Sequence, residues 1–298
     1  MRKTAVLRQL INRESIAVAP GAYDALSARL IEQAGFEIVY MSGGGAACSL
    51  LGQPDLGFLG LEEMSDQAAR IVAVTTIPVI ADCDTGFGNA LNVIRAVERY
   101  ECAGVAGLHL EDQVFPKRCG HLAGKQVIPA AEFAEKLRAA VSARSDPDLV
   151  IIARTDSRAL HGLHEVLERA ARFADAGADL FFPEGLESPD EVSEVAEAAG
   201  IPLLINQVPG GQAPVMPHEQ LLEAGCRIVI YPSTALSSTI KAVEVSLADL
   251  AKNGSQSQTA TLGVSQIFAR VGLKDWQERE RRFPPTFNQS VTHPTLGA

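Results

Sequence analysis

A chain of 298 residues with 47% hydrophobic side chains can bury a large core in one barrel-sized domain or two ordinary ones, which excludes a disordered chain. Its net charge of −10 and pI near 5.1 argue against a nucleic-acid or anionic-membrane partner. Neither terminus carries an apolar signal-like stretch, no run of about 18 apolar residues suggests a membrane span, and five scattered cysteines point to reduced thiols in a cytoplasm.

Eight short apolar runs recur along the chain, each followed by Gly, Asp, Glu, Asn or Ser. In order they are SIAVAPG, FEIVYMSGGG, IPVIADCDTG, GVAGLHLED, LVIIARTDS, ADLFFPEG, IPLLINQVPG and RIVIYPS. Amphipathic helical patterns such as LNVIRAVERYECAG and HEVLERAARFADAG lie between them, closed by glycine turns. Strands that are apolar throughout are buried on both faces, the mark of a parallel sheet. Eight such units predict an α/β fold, the (β/α)₈ TIM barrel, with a doubly wound open sheet as runner-up. No linker divides residues 1–298. The barrel core is expected over about 1–250 and C-terminal helices with a tail over about 251–298. KNGSQSQT (Lys252–Thr259) reads as a loop, GVSQIFARVGLKDWQERERRF as helical and PPTFNQSVTHPTLGA as tail.

Chemistry in such barrels sits at the C-terminal strand ends. There the second run gives Ser42-Gly43-Gly44-Gly45 and the third Asp82-Cys83-Asp84. The fourth gives Glu111-Asp112, the fifth Arg154-Thr155-Asp156, the sixth Glu184 and the seventh Asn206. Asp82 and Asp84 share a strand face and, with Glu111, make a hard-oxygen set suited to Mg²⁺ or Mn²⁺, or else merely cap a strand-to-helix turn. SGGG is either a nest for a substrate carboxylate or a tight turn; it lacks dinucleotide-binding spacing. Arg154 either grips a carboxylate or pairs with Glu184 or Asp156 inside the rim.

PKRCGHLAGK (Pro116–Lys125) concentrates cations, a thiol and a histidine between glycines. Cys119 is the candidate catalytic thiol, its proton affinity tuned by Lys117, Arg118 and His121; no second Cys/His pair supports zinc. The other four cysteines (Cys48, Cys83, Cys102, Cys226) are expected to pack as small hydrophobes and His109 as a core histidine. His161 and His164 should face solvent.

With SGGG, DCDTGFG and KRCGH in that order, the chain resembles the isocitrate lyase and phosphoenolpyruvate mutase superfamily over about Pro20 to Ser233, in its 2-methylisocitrate lyase or 2,3-dimethylmalate lyase-like branch. The resemblance implies a (β/α)₈ barrel whose last helix is swapped between paired subunits, a homo-oligomer that is a dimer of dimers, Mg²⁺ (Mn²⁺ as substitute), and a gating loop, PKRCGHLAGK. Carried across, Ser42, Gly43 and Gly44 hold the substrate carboxylate and oxyanion end. Asp82, Asp84 and, less directly, Glu111 organise the metal, and Asp55 of QPDLG approaches it indirectly. Arg154, Glu184 and Asn206 position substrate, and Cys119 is the acid or base of the carbon–carbon lyase branch. One departure stands out: Pro209 replaces a Glu common three residues after the strand-seven Asn.

The expected activity is cleavage of a small 2-hydroxy di- or tricarboxylate to an α-keto acid such as pyruvate plus a carboxylic acid. The alternatives are oxaloacetate hydrolysis or decarboxylation on the same scaffold and a non-catalytic binding barrel.

Overall fold

Each of the eight apolar runs is a strand: β1 Ala17–Ala22, β2 Val39–Met41, β3 Val79–Asp82, β4 Gly107–Glu111, β5 Val150–Thr155, β6 Leu180–Pro183, β7 Leu203–Asn206 and β8 Cys226–Tyr231. In the computed structural model, which describes residues 1–120, 122–211, 213–255 and 261–283, they pair in parallel and close in sequence order, β8 returning to β1. Closure in sequence order rules out the doubly wound sheet. The helices are α1 Lys3–Asn12, α2 Ala25–Gln33, α3 Gly43–Leu51, α4 Leu61–Val74, α5 Ala90–Ala103, α6 Ala130–Ala143, α7 Arg158–His161, α8 Leu163–Asp175, α9 Pro189–Ala199, α10 His218–Glu223, α11 Thr234–Asn253, α12 Val264–Arg270 and α13 Leu273–Arg282. By internal contacts the chain forms two compact units, Met1–Val245 and Ser246–Ala298. No helix among the described residues is long and apolar enough to cross a membrane.

Strand side chains alternate between two cores. Val39, Met41, Val79, Ala81, Leu108, Leu110, Ile151 and Ala153 point outward under the helices. Tyr40, Ile80, Ile152, Leu180, Phe182, Leu204 and Ile230 point inward, and Leu7, Leu10 and Ile11 of α1 join that inner cluster. Helix α1 has no counterpart among the predicted elements, because its apolar residues cover the barrel interior rather than a strand face. The inward row ends polar on strand after strand. Two residues beyond Tyr40 comes Ser42, beyond Ile80 Asp82, beyond Ile152 Arg154, beyond Phe182 Glu184 and beyond Leu204 Asn206. The same two-residue period that fills the barrel therefore sets a polar ring on top of it.

Several details differ from expectation. Lys252 and Asn253 belong to α11, so the helix runs two residues into the expected loop; residues 256–260 and the tail segment 284–298 lie outside the described residues. The helical stretch after it is broken by Gly272, whose φ of 81° ends one helix and starts another. Cys83 and Cys226 are buried as expected, but Cys48 and Cys102 are exposed, because their helical positions turn away from the strands. His161 and His164 are exposed as anticipated.

Gly21 shows how tightly the rim closes. A Cβ there would sit 2.1 Å from the Pro232 carbonyl oxygen, a backbone atom that no rotamer change can move. Gly21→Ala should destabilise by about 1–3 kcal/mol, lowering Tm by roughly 3–10 °C in thermal unfolding followed by circular dichroism. An unchanged Tm would contradict this packing.

Candidate active site

The polar ring surrounds a cavity of about 320 Å³ at the C-terminal end of the barrel. Its wall includes Ser42, Gly44, Asp55, Asp82, Lys117, Cys119, Arg154, Glu184 and Asn206, which a sequence separation of 164 residues spreads over five strand ends and two loops.

Asp82 acts first on the backbone. Its Oδ1 accepts from Asp84 N–H (2.9 Å) and its Oδ2 from Gly43 N–H (3.1 Å), tying the β3 turn to the start of α3. Gly43 must lack a side chain, since a Cβ would lie 2.5 Å from Asp82 Oδ2. SGGG is thus the first turn of a helix. Ser42 is the N-cap, its Oγ accepting from Gly45 N–H at 3.1 Å. The Gly43 N–H, expected to face a substrate carboxylate, is spent on Asp82, while Ser42 and Gly44 line the cavity at the helix's positive end. Asp84, with φ 46°, is held in the left-handed region by this turn.

Lys117 enters from the loop after β4. Its Nζ is 2.9 Å from both Asp55 Oδ2 and Asp84 Oδ1, though only the Asp55 contact is aligned as a hydrogen bond. Burial alone would lower the pKa of Lys117, but Asp84, Asp82, Glu111 and Asp55 outweigh it and keep the ammonium charged. Burial pushes Asp84 up to about 7 despite Lys117, with Asp82 and Asp55 adding to the rise. Burial likewise lifts Glu111 well above the carboxylate range; neither of its oxygens has a hydrogen-bond partner, although Arg154 Nε is 3.3 Å from Oε2. Burial also works against ionised Asp82, yet neighbouring cations and the Asp84 N–H hold its pKa below the ordinary range. Among those neighbours His109 is neutral at pH 7, because burial drops it to about 4, so Lys117 and Arg154 carry the effect.

Arg154 is both a cavity wall and an ion-pair hub. Its Nε is 3.0 Å from Asp156 Oδ2, its Nη2 is 3.3 Å from Glu184 Oε2, and its guanidinium lies 4.9 Å over the Phe182 ring. Asn206 Nδ2 donates to both Glu184 oxygens (3.3 and 3.1 Å).

The PKRCGHLAGK loop is docked over these groups. Its base is a bridge between Gln113 and Val127, and Lys125 Nζ donates to Gly120 O (2.5 Å) and pairs with Asp156 (2.8 Å). Gly120 lies so near Arg154 that a Cβ would be 2.5 Å from Nη2. Cys119 is half-buried on the cavity wall, its N–H donating to Asp55 O at 3.1 Å. Arg118, expected beside the thiol, is exposed and does not line the cavity. The Gln113 amide grips its backbone N–H and C=O, and its guanidinium lies toward Gly124. His121 lies outside the described residues. Pro209 is exposed and is not a wall residue; Val208 is.

Six carboxylates (Asp55, Asp82, Asp84, Glu111, Asp156, Glu184) face three cations (Lys117, Lys125, Arg154), leaving a formal excess of three negative charges. The orphaned Glu111 oxygens and the raised Asp84 and Glu111 are the donor set a divalent cation would satisfy. The donors are hard oxygens. Such donors suit Mg²⁺, although no three His, Cys, Asp or Glu converge as a direct ligand set among the described residues.

Sequence patterns missed a second, outward-facing network. Asp112 Oδ1 accepts from Asp156 N–H (3.0 Å), and its Oδ2 accepts from the Thr155 hydroxyl (2.5 Å) and Arg169 Nη1 (2.9 Å). Arg169 also donates to Ile128 O (3.1 Å), beyond the loop's base. Burial raises Asp112 to about 6 even so, while the Thr155 hydroxyl and Arg169 hold it down. Tyr40, whose hydroxyl is 2.8 Å from His109 Nε2, was also missed; the two-residue inward period ending at Ser42 was the available signal.

Arg169→Leu should strand the buried Asp112 carboxylate and cost about 3–5 kcal/mol in urea unfolding. Adding Asp112→Asn should recover part of that loss. Equal stability of Arg169→Leu and the parent would contradict the network.

The profile of the phosphoenolpyruvate phosphomutase family matches residues 7–251. The 2,3-dimethylmalate lyase of Eubacterium barkeri is 44% identical over 243 residues, covering 82% of this chain and 84% of the relative. The 2-methylisocitrate lyase of Aeropyrum pernix is 41% identical over 281 residues, covering 94% and 90%. Among solved structures, 2,3-dimethylmalate lyase superposes with a TM-score of 0.91 (39% identity; 98% and 99% covered). Oxaloacetate acetylhydrolase with 3,3-difluorooxalacetate gives 0.89 (38%; 94% and 96%). Phosphonopyruvate hydrolase with oxalate and Mg²⁺ gives 0.85 (30%; 95% and 99%).

Proposed function

The chain belongs to the phosphoenolpyruvate mutase/isocitrate lyase superfamily, and from that premise we propose that it is a Mg²⁺-dependent carbon–carbon lyase. It cleaves a small 2-hydroxy polycarboxylate to an α-keto acid and a carboxylic acid. The observation that carries this reading is the loop thiol, Cys119, on the wall of a cavity whose opposite groups are an under-neutralised carboxylate cluster and a buried guanidinium.

Asp84 and Asp82, with Glu111 and Asp55 behind them, would hold the metal through direct and water-mediated contacts. Bound there, Mg²⁺ supplies Lewis-acid stabilisation to the substrate's hydroxyl and carboxylate oxygens, and Mn²⁺ meets the same oxygen preference. The Ser42 hydroxyl and the Gly44 N–H, at the start of α3, receive the carboxylate of the α-keto half. Arg154, locked by Asp156 and Glu184, donates toward the oxygen that becomes the keto group, with no reorganisation needed when charge develops. Loss of the hydroxyl proton lets the C2–C3 bond break, and its electron pair passes into the departing carboxylate as an enediolate. The Cys119 thiol gives its proton to C3, completing the acid. Lys117, held by Asp55 and Asp84, stays positive beside the developing charge, and the docked loop keeps water out.

Oxaloacetate hydrolysis is the second reading, favoured by the similarity to oxaloacetate acetylhydrolase. A helix-swapped dimer of dimers is part of the proposal, supported by exposed Ile240, Val243, Phe268 and Trp276 on the C-terminal helices.

Chelation should abolish turnover and Mg²⁺ restore it, and Asp84→Ala should be inactive yet folded. Cys119→Ser should lower cleavage by roughly a hundredfold or more, because a hydroxyl is a far weaker acid than a thiol. Affinity for oxalate with Mg²⁺, read by calorimetry, should survive in that variant. Full activity of Cys119→Ser would remove the acid role and favour hydrolysis or decarboxylation.

A further inference from the structure

The cavity is two-sided, and strand order decides which side is which. Strands β2 to β6 and the loops above them contribute every charged wall residue: Asp55, Asp82, Lys117, Arg154 and Glu184. The wall built by β7, β8 and the start of α11 is different. It consists of Val208, Ile230, Pro232, Ser233 and Leu236, faced by Leu122 from the docked loop, and Ser233 brings its one side-chain hydroxyl. Among the described residues no Lys, Arg or His lines this half. At its edge Asn206 has its NH₂ engaged by both Glu184 oxygens and is left with a buried Oδ1 that has no donor. That atom is an acceptor, so it disfavours an anion.

Substrates of the proposed reaction share a C2 carrying hydroxyl and carboxylate, and a C3 carrying the second carboxylate. They differ in the remaining C3 substituent. In 2,3-dimethylmalate it is a methyl group; in 2-methylisocitrate it is a carboxymethyl group, which brings a third negative charge. With both shared carboxylates on the charged wall, the remaining C3 substituent is left to the β7–β8 wall. A carboxylate placed there would be desolvated against mostly aliphatic side chains, with no cation and only the Ser233 hydroxyl to meet it, which is unfavourable for an unpaired charge. A methyl or short alkyl group there gains burial instead.

We infer that this chain selects dicarboxylates whose departing fragment carries an uncharged alkyl group at C3, and that Val208, Leu236 and Leu122 are the selecting residues. The inference rests on the lyase reading given above and narrows its substrate class. It also agrees with Pro209, which is exposed and does not line the cavity, whereas its neighbour Val208 does.

The test is kcat/KM of the Mg²⁺-loaded protein on 2,3-dimethylmalate and on 2-methylisocitrate, measured by pyruvate release. The dicarboxylate should be preferred by roughly a hundredfold or more, since the competitor must bury an unpaired charge. Leu236→Arg should narrow that ratio at least about tenfold by improving the tricarboxylate, because a guanidinium then meets the third carboxylate. Val208→Lys, on a different element, repeats the test should the helix variant not fold. Equal or better cleavage of 2-methylisocitrate by the parent overturns the selectivity and leaves the lyase reading intact. Cleavage of neither substrate overturns the lyase reading, and the selectivity falls with it.

Discussion

Crowded negative charge at the top of the barrel is the constraint that shapes the rest of the site. Asp82, Asp84 and Glu111 converge in the barrel mouth beside Asp55, and burial first, with neighbouring carboxylates second, raises the proton affinity of Asp84 and Glu111. Three devices contain the repulsion. Asp82 is absorbed by two backbone N–H groups, Lys117 is drawn in to bridge Asp55 and Asp84, and Arg154 is set against Glu111, Asp156 and Glu184. What is left over is negative, and it is this remainder that suits the site to a hard divalent cation with few direct protein ligands.

The same electrostatics explain why the loop closes where it does. Lys117 and Lys125 are the two cations of PKRCGHLAGK that reach inward, one to the Asp55–Asp84 pair and one to Asp156. They bracket Cys119 and Gly120, so docking the two ammonium groups brings the thiol to the cavity wall and Gly120 against Arg154. Arg118, between them in sequence, faces out because Gln113 fixes the backbone there. The Cys119 thiol is therefore delivered to the cavity by charge pairing on both sides, and its local neighbours in sequence matter less than the carboxylates they meet.

This is also where reading the sequence succeeded and where it stopped. The eight strands and the polar residue beyond five of them follow from a two-residue period that is local and visible, as in Ile80-Asp82 or Phe182-Glu184. Helix α1 escaped notice because its apolar face matches a barrel floor assembled from all eight strands. The Lys125–Asp156 and Arg169–Asp112 pairs join residues 31 and 57 positions apart, and no local pattern announces them. SGGG looked like a nest of open N–H groups. Only in three dimensions does Asp82 claim the Gly43 N–H and leave Ser42 and Gly44 of the helix start on the cavity wall.

The central claim is that C–C cleavage here passes through an enediolate protonated by the loop thiol. Running the reaction on 2,3-dimethylmalate with Mg²⁺ in D₂O, where a thiol proton exchanges for deuterium, tests it most directly. The account predicts pyruvate and propionate in equal amounts, with one deuterium at C2 of the propionate by NMR or mass spectrometry. Propionate without deuterium at C2, or carbon dioxide in place of propionate, would contradict it.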